Sequence, residues 1–149
     1  AGVGLSCAVL ARRGARVTCA DFEPRALELM SRTARANAVS IQPVLFDFQR
    51  HRKDWPEAIR PPYDIVVLAG TPQNFLLGGE LSSLMKVFKA LGRNGTRIFM
   101  EDQSMSCERR GLPVKTWSRF GIKLEQSVDP FQVGLWPMPC SRLYTAVIR

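Results

Sequence analysis

Short apolar runs alternate along this chain with stretches in which apolar residues return every three or four positions. Residues 6–13 are helix formers, with Arg12 and Arg13 in the last turn and Gly14 placed as a stop. Residues 15–21 read as a short buried strand that ends in an acid, Asp21. Pro24 suits the first turn of a second helix running to about Ala38. Leu27, Met30, Ala34 and Ala38 form its apolar stripe, and Arg25, Glu28, Arg32 and Arg35 lie elsewhere. Residues 41–48 predict another strand, ending in Asp47. A polar, partly helical connection carrying Trp55 follows, over residues 49–62. Residues 63–70 form the strongest strand, apolar on successive positions as a parallel strand covered on both faces should be. Leu77, Leu81, Leu84, Met85, Phe88 and Leu91 then mark an amphipathic helix. Gly92-Arg93-Asn94-Gly95 ends it, and residues 96–100 predict a strand leading into Glu101-Asp102.

Beyond this point the pattern changes. Residues 104–118 are polar and basic, with a helix around Val114-Lys115-Thr116-Trp117. Residues 121–128 and 142–148 alternate as strands do. The segment between them, with Pro130, Pro137 and Pro139, reads as a loop, which makes the two strands an antiparallel pair. Strand–helix units followed by a terminal hairpin describe an α/β protein with a doubly wound, largely parallel sheet.

Size and composition agree with one folded domain over residues 1–149. Hydrophobic residues make up 46% and charged residues 23%, which excludes an intrinsically disordered chain. No run of about 18 apolar residues is present, so no membrane partner is expected. The 21 Lys+Arg against 13 Asp+Glu give a net charge of +8, and 16 of the cations are Arg, a type suited to bidentate contact with phosphate or carboxylate. The charge fits an acidic partner such as RNA, or a basic compositional bias. Cys7, Cys19, Cys107 and Cys140 have no C-x-x-C spacing and His51 is the sole histidine, which argues against a metal site. In a core this large the cysteines do not imply a disulfide framework, and Cys7 and Cys19 read as small buried hydrophobes.

The chemistry concentrates near the first residues. Gly2 and Gly4 open a helix, and the next strand ends in Asp21: the second half of a mononucleotide-binding unit. In such units glycine lets a ligand approach the backbone and the carboxylate meets ribose hydroxyls. Capping of the following turn accounts for Asp21 and Asp47 equally simply. The strand that should precede Gly2 is absent. A sheet without it would leave two strand edges and an empty slot, so the sequence is expected to start partway into the protein, with the strands ending at Asp21 and Gly70 not direct neighbours. The compartment, intracellular and cytoplasmic or mitochondrial, is left open.

Gly2-Val3-Gly4-Leu5, Ala20-Asp21, Leu45-Phe46-Asp47-Phe48, Tyr63-Asp64-Ile65-Val66-Val67-Leu68 and Leu91-Gly92-Arg93-Asn94-Gly95 fall in one order. That order resembles the seven-strand S-adenosyl-L-methionine (SAM)-dependent methyltransferases, whose Rossmann-like sheet takes its last strand antiparallel. Asn37 and the Asp47-Phe48 pair resemble the protein-lysine methyltransferase-like group. The resemblance covers essentially the whole chain and implies SAM as cofactor. It places Gly2 and Gly4 beside the methionine part and ribose, Asp21 on the ribose hydroxyls, Asp47 on the adenine amino group, and Phe48 or Phe22 against the adenine ring. It implies transfer to a protein (lysine) side chain.

The group's Asp-x-x-Tyr stretch after the fourth strand is replaced by Gly70-Thr71-Pro72-Gln73, so no catalytic residue is assigned; Gln73 and Asn74 are either substrate-orienting or loop-capping. That departure, with the basic charge, keeps open a catalytically lapsed component of a ribonucleoprotein such as a ribosome. Arg50-His51-Arg52-Lys53 and Arg109-Arg110, with Lys115 and Arg119, then read as phosphate contacts or as a solvated face. A nicotinamide or flavin domain is a third reading, with Cys7 in place of the fingerprint's third glycine.

Overall fold

The computed structural model describes residues 1–69, 81–102, 114–128 and 142–149. They divide between two compact units, Ala1–Arg60 and Pro61–Arg149.

In the first unit, α1 (Leu5–Arg12) leads to β1 (Thr18–Asp21), α2 (Pro24–Ala36) and β2 (Gln42–Leu45). A 3-10 turn follows at Arg52–Asp54. Gly14, at φ 86°, terminates α1 as expected. The Ala15 N–H bonds back to the Leu10 carbonyl and the Gly14 N–H to that of Ala11, a Schellman closure. Pro24 occupies the start of α2, and the Glu23 side chain caps it by accepting from the Arg25 N–H. The helix stops at Ala36, short of Ala38: Val39 and Ala38 bond back to Ala34 and Arg35, which leaves Ala38 exposed in the left-handed region at φ 51°. The buried stripe of α2 is therefore Ala26, Met30 and Ala34. β1 and β2 pair in parallel, Thr18 opposite Gln42 and Asp21 opposite Leu45.

Cys7 and Cys19 are buried, as expected, but they are not simple hydrophobes. They form a disulfide between α1 and β1, and with Ala26 and Met30 they make the unit's core, against which Val17 and Ile41 pack. The turn at Gly14 folds α1 back beside β1 and sets the two Cα atoms 6.1 Å apart, inside the range a disulfide spans. Spacing along the chain does not report such a juxtaposition.

In the second unit, β3 (Ile65–Leu68), α3 (Leu81–Leu91), β4 (Arg97–Asp102), α4 (Val114–Arg119), β5 (Ile122–Val128) and β6 (Arg142–Ile148) build one sheet in the order β3-β4-β6-β5. β3 and β4 are parallel; β6 enters antiparallel between β4 and β5. The terminal antiparallel pair is as the sequence predicts. β1 and β3, the strands leading to Asp21 and Gly70, belong to different sheets. β3 differs from the expected doubly covered strand. It is the end strand of its sheet, Val66 and Leu68 are half-buried, and Ile65 and Val67 stay 47% and 42% exposed.

Phe88, Trp117 and Tyr144 are almost fully buried at the centre of this unit, the Trp117 ring stacked on Phe88 and tilted against Tyr144. Thr96 is the buried polar residue of the described core; its hydroxyl donates to the Tyr63 carbonyl and accepts from the Arg93 N–H. Among the described residues no helix is long and apolar enough to cross a membrane.

Candidate functional site

All six sequence-selected residues lie in the first unit. Asp21 ends β1 and Leu45 ends β2 directly opposite it. The Phe46 N–H extends the ladder by bonding to the Asp21 carbonyl at 2.8 Å. The two parallel strands thus finish side by side, and Asp21-Phe22 and Asp47-Phe48 leave from the same end. The carboxyl end of parallel strands is where open α/β sheets place ligands.

The glycine loop closes onto that end. Asp21 Oδ2 accepts from the Gly2 N–H at 2.9 Å and from the Ala1 amino group at 2.6 Å. Oδ1 accepts from the Glu23 N–H at 3.0 Å. Binding and capping were alternatives for Asp21; the capping turn is formed, and the same carboxylate also holds the loop. Burial alone would raise the Asp21 carboxyl. The hydrogen bonds from Ala1, Gly2 and Glu23, with the ammonium charge, outweigh burial and keep it below its ordinary value.

The two glycines differ in what demands them. Gly4, at φ 78°, caps α1, and a Cβ there would come within 3.0 Å of Met30 on α2, so the residue is fixed by packing inside the protein. Gly2, at φ 57°, has nothing within 4 Å of where a Cβ would stand. Backbone open to an approaching ligand is therefore at Gly2.

Asp47 makes the equivalent turn at the end of β2. Oδ1 accepts from the Gln49 N–H at 3.0 Å, and Oδ2 lies 3.8 Å from Arg50 Nε. Its loop is anchored by packing: Phe46 is buried edge-on against Trp55 at 5.1 Å, and Trp55 Nε1 donates to the Arg50 carbonyl. Trp55 reads from sequence as a packing or rim residue; its partner Phe46 was signalled only by alternation, since Val44 and Phe46 are buried and Leu45 is exposed. Phe48 is half-buried, whereas Phe22 is 66% exposed beside Asp21. His51, Arg52 and Lys53 are exposed. The stretch from Gly70 to Phe75, with Gln73 and Asn74, and the Arg109-Arg110 pair lie outside the described residues.

Solved structures share the fold. Magnesium protoporphyrin IX methyltransferase (ChlM) from Synechocystis PCC 6803, with bound SAM, superposes with a TM-score of 0.72 at 15% identity, over 99% of this chain and 66% of its own. The chain has the Rossmann-like fold of the SAM-dependent methyltransferases. The N-methyltransferase NodS from Bradyrhizobium japonicum WM9 matches at 0.69 and 15% identity, over 99% of this chain and 81% of that one. A TehB-like SAM-dependent methyltransferase from Corynebacterium glutamicum gives 0.69 and 17%, over 99% and 76%. A precorrin 8W decarboxylase from Methanobacterium thermoautotrophicum matches too, at 0.65 and 19%, over 98% and 77%, so the fold alone does not fix a reaction. No protein-family model and no curated sequence matches the chain. The chain spans about two thirds of the ChlM structure's length.

Proposed function

We propose that the chain is a SAM-dependent methyltransferase domain, its cofactor site formed by Gly2, Gly4, Asp21, Phe22, Asp47 and Phe48. The observation that carries this reading is the Gly2 N–H bond to Asp21, which joins the glycine loop to an acid at the carboxyl end of two parallel strands.

These residues suit the group chemically. A carboxylate offers about four acceptor positions, of which the backbone N–H groups of Gly2 and Glu23 fill two at Asp21. A ribose diol needs two, the number that those two backbone bonds leave. Asp47 accepts from an exocyclic amine, and the exposed ring of Phe22 offers an apolar face to a base. SAM, when bound, supplies a methyl group on a sulfonium. This chain's residues then have to position the acceptor in line and leave it unprotonated, which needs orientation rather than a covalent step.

For the acceptor, we propose an amine of a protein side chain, on the resemblance carried by Asn37 and Asp47-Phe48. The Asn37 amide also donates to the Thr33 carbonyl at the end of α2, so helix capping is part of its role. Net basic charge by itself selects no partner, and the ribonucleoprotein reading is set aside. Incubation with methyl-labelled SAM and a peptide array tests the acceptor. Label on lysine peptides, absent when lysine is replaced by arginine, is expected; label confined to small-molecule acceptors overturns the protein substrate while keeping the methyltransferase.

A further inference from the structure

We propose that the Cys7–Cys19 disulfide is a redox control on the glycine-loop site: the oxidised chain holds the loop against Asp21, and the dithiol chain releases it. The regulation of ligand binding rests on the cofactor reading above; the control of the loop does not.

The placement of the two sulfurs carries the argument. Cys7 lies three residues after Gly4 on α1, and Cys19 two residues before Asp21 on β1. The covalent link thus joins the two elements whose ends form the site. α1 has little else to hold it. Of its eight residues only Cys7 and Ala8 are buried, whereas Leu5 and Val9 stand 62% and 50% exposed. A helix this short has no stability of its own in water and depends on packing. One of its two buried contacts is the half-cystine itself. Reduction therefore removes the covalent attachment of the helix that follows Gly4, leaving the packing of Cys7 and Ala8, Gly4 against Met30 and the Gly2 hydrogen bond to Asp21.

The two half-cystines differ in burial. Both residues are buried, Cys7 at 8% and Cys19 at 1% exposure, so a reductant thiolate is assigned to Cys7, the less buried residue. With a dithiol reductant, one reductant sulfur bonds to Cys7, the Cys7–Cys19 bond breaks and Cys19 leaves. The second reductant sulfur then displaces Cys7. The protein gains two electrons and two protons, and the reductant closes to a disulfide. Oxidised glutathione runs the reverse: two protein thiols lose two electrons and two protons, and two molecules of glutathione thiol form.

The test uses the full chain carrying Cys107→Ser and Cys140→Ser, so that one pair responds. It is titrated with S-adenosyl-L-homocysteine after dithiothreitol and after oxidised glutathione, with the thiol state read by alkylation and mass spectrometry. Amide exchange at Gly4 and Ala8, whose N–H groups bond to Ala1 and Gly4, is followed by NMR in the same two states. If the loop keeps its binding arrangement about a tenth of the time once reduced, affinity falls about tenfold and exchange at both amides quickens in proportion. Cys7→Ser/Cys19→Ser should match the reduced state in either buffer; should that variant not fold, reduction of the parent still decides. Equal exchange in the two states overturns the proposal, as does equal ligand affinity. Faster exchange on reduction with no ligand bound in either state supports the redox control and defeats the cofactor reading instead.

Discussion

Asp21 does two jobs with one carboxylate: it takes the Gly2 N–H and closes the turn at Glu23. These bonds set its pH behaviour. A group held below its ordinary value of 3.8 contributes stability in full above that value and loses it as the pH falls through the folded-state value. The stability gap between the parent and Asp21→Asn should be largest near neutrality and close below about pH 4, as measured by denaturant unfolding across that range. A gap that widens toward acid contradicts the assignment. Thr96 is the corresponding residue of the second unit. Thr96→Val removes two hydrogen bonds, to the Tyr63 carbonyl and from the Arg93 N–H, and should cost about 0.5–1.5 kcal/mol for each in the same assay. Sequence made Asp21 visible because an acid ends an apolar strand after a glycine-opened helix. It gave no sign of Thr96, because a threonine at a strand's start carries no periodic signal.

Elements were legible wherever period and punctuation agreed. Gly14 and Pro24 bound α1 and α2 as read, because each residue's backbone preference acts locally. The end of α2 was misplaced by two residues because Ala38, a helix former, sits in a left-handed turn imposed by the closure onto Ala34. That strain is testable. Left-handed backbone costs a non-glycine residue about 1–2 kcal/mol, and glycine's greater freedom when unfolded returns about 0.5–1 kcal/mol of it. Ala38→Gly should therefore stabilise the chain by about 0.5–1 kcal/mol in denaturant unfolding, and a loss of stability would show that the turn carries no strain. In α4, Trp117 is fully buried yet its Nε1 has no hydrogen-bond partner among the described residues. Its worth lies in packing on Phe88 and Tyr144, so Trp117→Ala should cost about 3–5 kcal/mol. The exposure of β3 and the Cys7–Cys19 bond escaped sequence reading for one reason. Both depend on which elements end up adjacent, and a pattern along one element is silent on its neighbours.

At the scale of the molecule, the order of strands and helices was the most readable property, since strand–helix alternation closed by an antiparallel pair allows few topologies. The antiparallel entry of β6 between β4 and β5 and the structural likeness to SAM-dependent methyltransferases meet that expectation. The proposed acceptor is far less readable, because the Asp-x-x-Tyr stretch that would signal it is replaced by Gly70-Thr71-Pro72-Gln73. The central claim is that the end of the first unit binds SAM. The most direct measurement is calorimetric titration of the chain with S-adenosyl-L-homocysteine, alongside Asp21→Ala. Saturable micromolar binding by the parent, lost in a variant that stays folded, is the result expected. A well-folded parent that binds nothing, or an Asp21→Ala chain that binds as tightly as the parent, would contradict it.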